Sequence, residues 1–161
     1  MTRSPMKERP LMRRDDRWAA RLLTWFLRLL GVVDLAAVVA VVMPRSWMQW
    51  GCVVTGLASF PDEPLAGYLA RSASAMYAIF GVLFIAMATD VEHYRRLIRL
   101  TAFLAILLGL ALIIIDLAEG MPVWWTLVEG PFVVLTGAII LVLQGRTGPP
   151  GFAAESVSSA D

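Results

Sequence analysis

Four runs of about twenty predominantly apolar residues restrict this chain more than any other feature, because a helix needs that length to cross the hydrocarbon core of a bilayer. They fall at about 22–43, 66–89, 97–118 and 122–143. Within a bilayer every backbone N–H and C=O must find a partner inside the protein, so spanning segments are helices or strands of a closed barrel. None of the runs alternates apolar and polar residues as barrel strands do. The expected fold is therefore an all-α integral membrane protein, a four-transmembrane-helix bundle over residues 22–144. Composition agrees, with 58% hydrophobic and 17% charged residues, against about 45–50% and 25% in soluble domains.

Punctuation residues separate the runs. Pro44 stops the first. Pro61-Asp62-Glu63-Pro64 precedes the second, with Asp62 placed to cap a helix and Pro64 suited to its first turn. Gly120 can end the third in a left-handed conformation, Pro122 can begin the fourth, and Gly145 closes it. A cleaved signal peptide is the rival reading of the first run. It fails on length, on the interrupting Arg28 and Asp34, and on the poor cleavage context Met43-Pro44-Arg45.

Basic residues give the expected orientation. Residues 1–21 carry Arg3, Lys7, Arg9, Arg13, Arg14, Arg17 and Arg21, and the connection between the second and third runs carries Arg95 and Arg96. On the opposite side stand only Arg45, in the first outer connection, and Arg71, just inside the second run. By the positive-inside rule both termini are cytoplasmic, with 1–21 a basic segment and the Gly/Pro/Ser-rich stretch 145–161 a disordered cytoplasmic tail. In the first outer loop, Trp47, Trp50, Val54 and Leu57 share one face at helical spacing. That face predicts a short helix, either lying flat at the outer interface or folded over the bundle as a lid.

Ionisable residues within spans are costly and mark sites or helix contacts. Here they gather toward the outer half. Asp34 lies roughly 13 Å below the outer end of the first span and Glu129 roughly 10 Å into the fourth, at about 1.5 Å per residue. Arg71, followed by Ser74 and Tyr77, stands near the outer end of the second span, and Asp116 near that of the third. The stripes Gly31/Asp34/Val38, Arg71/Ser74/Ala78/Gly81, Gly109/Ile113/Asp116 and Thr126/Glu129/Val133/Thr136, all turned inward, would enclose one polar pocket. An Arg71–Asp116 ion pair is expected, because Asp116 sits near a helix C-terminus that disfavours an anion. Glu129 precedes Gly130-Pro131, where Pro131 should kink the helix, and follows Trp124-Trp125. This motif reads either as a binding site or as an interfacial Trp pair with a polar group joining helices. Asp34, Arg71, Ser74, Tyr77, Asp116, Trp125 and Glu129 are the candidate ligand-binding or polar-cluster residues.

Much chemistry lacks a footing. Cys52 is the one cysteine and His93 the one histidine, which excludes an intrachain disulfide, a CxxC redox motif and a multi-histidine metal or haem site within one chain. Neither GxGxxG, a P-loop nor G-x-S-x-G occurs. No catalytic residue, cofactor or metal is expected, and the balance of 14 Lys+Arg against 13 Asp+Glu gives no pull toward nucleic acid.

The opening of the first span, Trp25-Phe26-Leu27-Arg28-Leu29-Leu30-Gly31, together with the chain's size and its polar outer span ends, resembles the small four-span bacterial membrane proteins of the DoxX/BphX-like type. The resemblance covers residues 20–145. It implies a bacterial inner-membrane protein, and some such proteins are similar to accessory subunits of quinone-linked oxidoreductases. No family catalytic residue maps onto this sequence. The first expectation is a non-enzymatic accessory or interaction protein, with the bilayer, a protein partner or homo-oligomer, and a lipid or quinone-like ligand as its contacts. The alternatives are a proton-coupled transporter or channel subunit using Asp34, Asp116 and Glu129, and a lipid- or quinone-processing enzyme or its subunit.

Overall fold

A computed structural model describes residues 14–57 and 59–147. Its elements, all helices among those residues, are α1 (Arg14–Ala36), α2 (Val38–Val42), α3 (Arg45–Val54), α4 (Pro64–Met87), α5 (Arg95–Glu119) and α6 (Val123–Arg146). Four segments are long and apolar enough to cross a membrane: Arg17–Val42, Pro64–Met87, Arg95–Glu119 and Val123–Arg146. The chain is a multi-pass membrane protein built as a helical bundle. The bounds move slightly from expectation. Helix α1 already includes residues 14–21 and α6 continues through Gly145 to Arg146, while residues 1–13 and most of the expected tail, 148–161, lie outside the described residues.

The spans pack in the lateral order α4–α1–α6–α5. We call the end where α1 begins and α6 finishes the terminal end, and the opposite one the loop end. At the terminal end all four spans meet in one apolar core of Leu23 and Leu27, Met87 and Ala88, Ile98 and Ala102, and Ile140 and Leu143. Because lipid is as apolar as leucine, such packing is held by van der Waals fit and close approach rather than by exclusion of water.

Two glycine seams carry that close approach. Between α1 and α4, Gly31 and Gly81 stand backbone to backbone, and between α5 and α6, Gly109 faces Gly130 while Gly137 faces Ala102 and Ile106. The stretch Asp90–Tyr94 is a turn whose Asp90 carboxylate accepts hydrogen bonds from the Glu92 and His93 amides at 3.2 and 2.9 Å. Helix α5 ends on Gly120 in the left-handed region at φ 68°, with the Met121 amide donating to the Asp116 carbonyl at 2.9 Å.

Pro131 lies inside α6, which continues through it. Two local features differ from expectation. The first span is interrupted at Ala37, where the Ala37 and Ala40 amides donate to carbonyls three residues back, Asp34 and Ala37, at 3.1 and 3.0 Å. The start of α4 is not capped by the Asp62 carboxylate. Arg45 gathers that corner, donating from Nη1 to the Asp62 carbonyl at 2.8 Å and from Nη2 to the Glu63 carbonyl at 2.9 Å.

Candidate functional site

The polar residues of the loop half do not form one chamber. They divide into three groups according to which helix each stripe faces.

The first group joins α1, α4 and α6. Tyr77 stands within electrostatic range of the Glu129 and Asp34 carboxyls, which relates side chains of three spans. Trp125, one turn before Glu129, donates its indole N–H to Glu129 Oε2 and packs edge-on against Trp124 at 5.4 Å between centroids. Asp34 immediately precedes the interruption of the first span, and Glu129 stands two residues before Pro131, which has no N–H to offer the Leu127 carbonyl. Each carboxyl is thus placed where regular helical hydrogen bonding lapses. Ser74, also expected here, donates to the Ala70 carbonyl of its own helix at 2.8 Å, so its donor is already used.

The second group lies in the α5–α6 seam. Gly130 faces Gly109 and Ile113, and Gly137 faces Ala102 and Ile106; this antiparallel register sets Asp116 level with Thr126. Both are buried, Asp116 at 5% exposure, and Asp116 Oδ2 has no hydrogen-bond partner. Glu129, about 100° around α6 from Gly130, lies off this seam and takes its hydrogen bond from Trp125. Asp34 and Glu129 are therefore related through Tyr77, whereas Asp116 belongs to a separate contact.

The third group corrects the expected Arg71–Asp116 pair, which does not form. Arg71 donates from Nε to the Val41 carbonyl and from Nη2 to the Met43 carbonyl, both at 3.1 Å. These carbonyls close the short helix α2, where no further turn exists to donate to them. A forked guanidinium supplies two parallel donors in that geometry, so Arg71 ties the α2–α3 corner to α4.

Sequence reasoning missed two polar anchors. One is Arg45, described above. The other is Gln144, 1% exposed, whose Nε2 donates to the Arg95 carbonyl. Arg95 Nη2 returns hydrogen bonds to the carbonyls of Gln144 and Thr147 at 3.3 and 2.7 Å. A glutamine followed by glycine at the end of an apolar run carried the signal, but the partner is about fifty residues away.

The α3 arm resolves the choice left open for the first outer loop. Trp47, Trp50, Val53 and Val54 are all exposed, the two tryptophans at 61% and 68%. The apolar face of α3 is thus not laid on the bundle as a lid. Comparison with protein-family models, curated proteins and solved structures finds no match.

Proposed function

We propose that this is a non-enzymatic accessory or interaction protein of a bacterial cytoplasmic membrane, with both termini on the cytoplasmic side. The observation that carries the reading is the α3 arm: a ten-residue helix with Trp47, Trp50, Val53 and Val54 all exposed beyond the spans. A helix that buries none of its large apolar side chains in its own fold has its complementary surface elsewhere, in a partner or at the headgroup layer. The arginine-rich start of the chain supports the orientation, and the resemblance to DoxX/BphX-like proteins points to the same class. The Asp34–Tyr77–Glu129 group is then a seat for a small ligand or lipid headgroup. Native mass spectrometry of tagged protein released gently from its own membrane tests the reading. A stoichiometric protein partner that is lost on Trp47→Ala/Trp50→Ala supports it, and a monomer that remains free of any partner opposes it.

A proton-coupled transporter or channel subunit is the second reading, favoured by the gathering of Asp34, Tyr77 and Glu129 from three spans beside two lapses in helical bonding. Against it stands the terminal-end core of Leu23, Leu27, Ile98 and Ile140, which offers a proton no polar path. Proton flux into liposomes that disappears in Glu129→Gln would promote this reading, and the absence of flux in the unmutated protein would remove it.

A further inference from the structure

We propose that Arg45 and Arg71 form a binding site for a phosphate-type anion, whether the phosphodiester of an anionic lipid headgroup or free inorganic phosphate. The two guanidiniums converge on Gly67 of α4. A Cβ built there would stand 3.0 Å from Arg45 Nη2 and 3.3 Å from Arg71 Nη1, so these nitrogens are separated by no more than about 6.3 Å. Two like charges at that separation repel each other, and something must hold them together.

Among the described residues, backbone carbonyls hold both guanidiniums and no carboxylate pairs with either. Arg45 is held by the carbonyls of Asp62 and Glu63, and Arg71 by those of Val41 and Met43. A guanidinium has five N–H donors, so each keeps donors in hand after its two hydrogen bonds. The carboxylates of Asp62 and Glu63 are exposed on the same corner, yet neither forms an ion pair with Arg45 or Arg71. Gly67, the fourth residue of α4, brings the positive end of that helix dipole to the same point.

The surroundings favour a lipid as the source of the anion. Met43, whose carbonyl Arg71 holds, also lines an open groove of about 720 Å³ with Ser46, Trp47, Met48, Trp50 and Gly51. A phosphodiester seated on the two arginines would find an open apolar groove for its acyl chain beside Met43, the residue that Arg71 holds. Arginine forks match phosphate oxygens two by two, and phosphate contacts of this kind place lipid headgroups at the ends of transmembrane helices.

The test uses the full chain in detergent, with phosphatidylglycerol, phosphatidylcholine and inorganic phosphate as probes in native mass spectrometry and thermal unfolding. The unmutated protein should retain phosphatidylglycerol in preference to phosphatidylcholine. Arg45→Gln and Arg71→Gln should each weaken that retention about tenfold, the order expected for losing one charge-assisted hydrogen bond. Arg99→Gln, which removes an exposed arginine of the terminal end, should leave it unchanged. Stabilisation by inorganic phosphate that vanishes in Arg45→Gln would support the same site with free phosphate as its ligand. If Arg71→Gln fails to fold, Arg45→Gln carries the comparison, with Arg45→Lys expected between it and the unmutated protein. No preference for phosphatidylglycerol together with no response to phosphate overturns the proposal. So does equal loss in Arg99→Gln, or full retention in Arg45→Gln.

Discussion

A Cβ added to Gly81 would stand 2.7 Å from the Gly31 carbonyl oxygen and 2.5 Å from the Leu35 nitrogen. Both are backbone atoms, which cannot step aside as a flexible side chain would, so α1 and α4 are in direct main-chain contact. Gly81→Ala should therefore push the two helices apart and cost about 1–3 kcal/mol, the usual range for overpacking. Gly51 of α3 has nothing within 4 Å of its Cβ position, so Gly51→Ala should be neutral, or stabilise by up to about 1 kcal/mol through helix propensity. Thermal unfolding of both variants in one detergent separates the two cases. Equal melting temperatures would mean that the helices do not approach this closely.

The hydrogen bond from Trp125 to Glu129 predicts a measurable coupling. Trp125→Phe keeps most of the packing but leaves Oε2 of a partly buried carboxyl without its donor. Glu129→Gln preserves an acceptor for the indole and should be milder. A double-mutant cycle of Trp125→Phe with Glu129→Ala should give a coupling of about 0.5–2 kcal/mol, the scale found for hydrogen bonds between side chains in membrane proteins. A coupling near zero would mean that the two side chains act independently, and the Trp124–Trp125 pair would then be an interfacial anchor only.

Asp116 predicts a change of the opposite sign. Its Oδ2 is buried without a hydrogen-bond partner, and Arg71, the cation that could have served it, donates to Val41 and Met43 instead. Removing a buried polar group that lacks a partner relieves its desolvation cost. Asp116→Leu should therefore unfold at a temperature equal to or above that of the unmutated protein. A large loss of stability in Asp116→Leu would mean that the carboxyl makes an essential contact in the α5–α6 seam.

The spans and their ends were legible because they depend on local chemistry: Pro44, Pro64, Gly120 and Pro122 each stand at a helix boundary, and the Trp47/Trp50/Val54/Leu57 spacing anticipated α3, although Leu57 falls beyond its end. The grouping of the acids was not legible. Periodicity places Asp116 and Gly109 on one face of α5, but which neighbour that face meets depends on the lateral order α4–α1–α6–α5, and no single span contains that information. Pairing Arg71 with Asp116 followed from the helix C-terminus that disfavours an anion at Asp116, whereas the guanidinium answers backbone carbonyls that no residue letter announces. The interruption at Ala37 is of the same kind. No glycine or proline marks it, and the close approach of Gly81 to Leu35 and the grip of Arg71 on Val41 are tertiary contacts.

That grip gives the last prediction. If Arg71 holds the end of the interrupted first span, Arg71→Ala should free the Val41 and Met43 carbonyls and loosen the corner between α2 and α3, costing about 1–2 kcal/mol locally. Arg71→Lys should recover only part of this, because one ammonium on a flexible stem cannot reproduce the two parallel donors of a fork. Hydrogen exchange followed by mass spectrometry can localise the effect. Peptides covering α2 and the start of α3 should exchange faster in Arg71→Ala, while those covering α5 and α6, held by their own glycine seam, should keep their protection. Uniform acceleration across all four spans would instead make Arg71 a support of the whole bundle. Unchanged exchange in α2 would mean that the break at Ala37 holds its shape without Arg71.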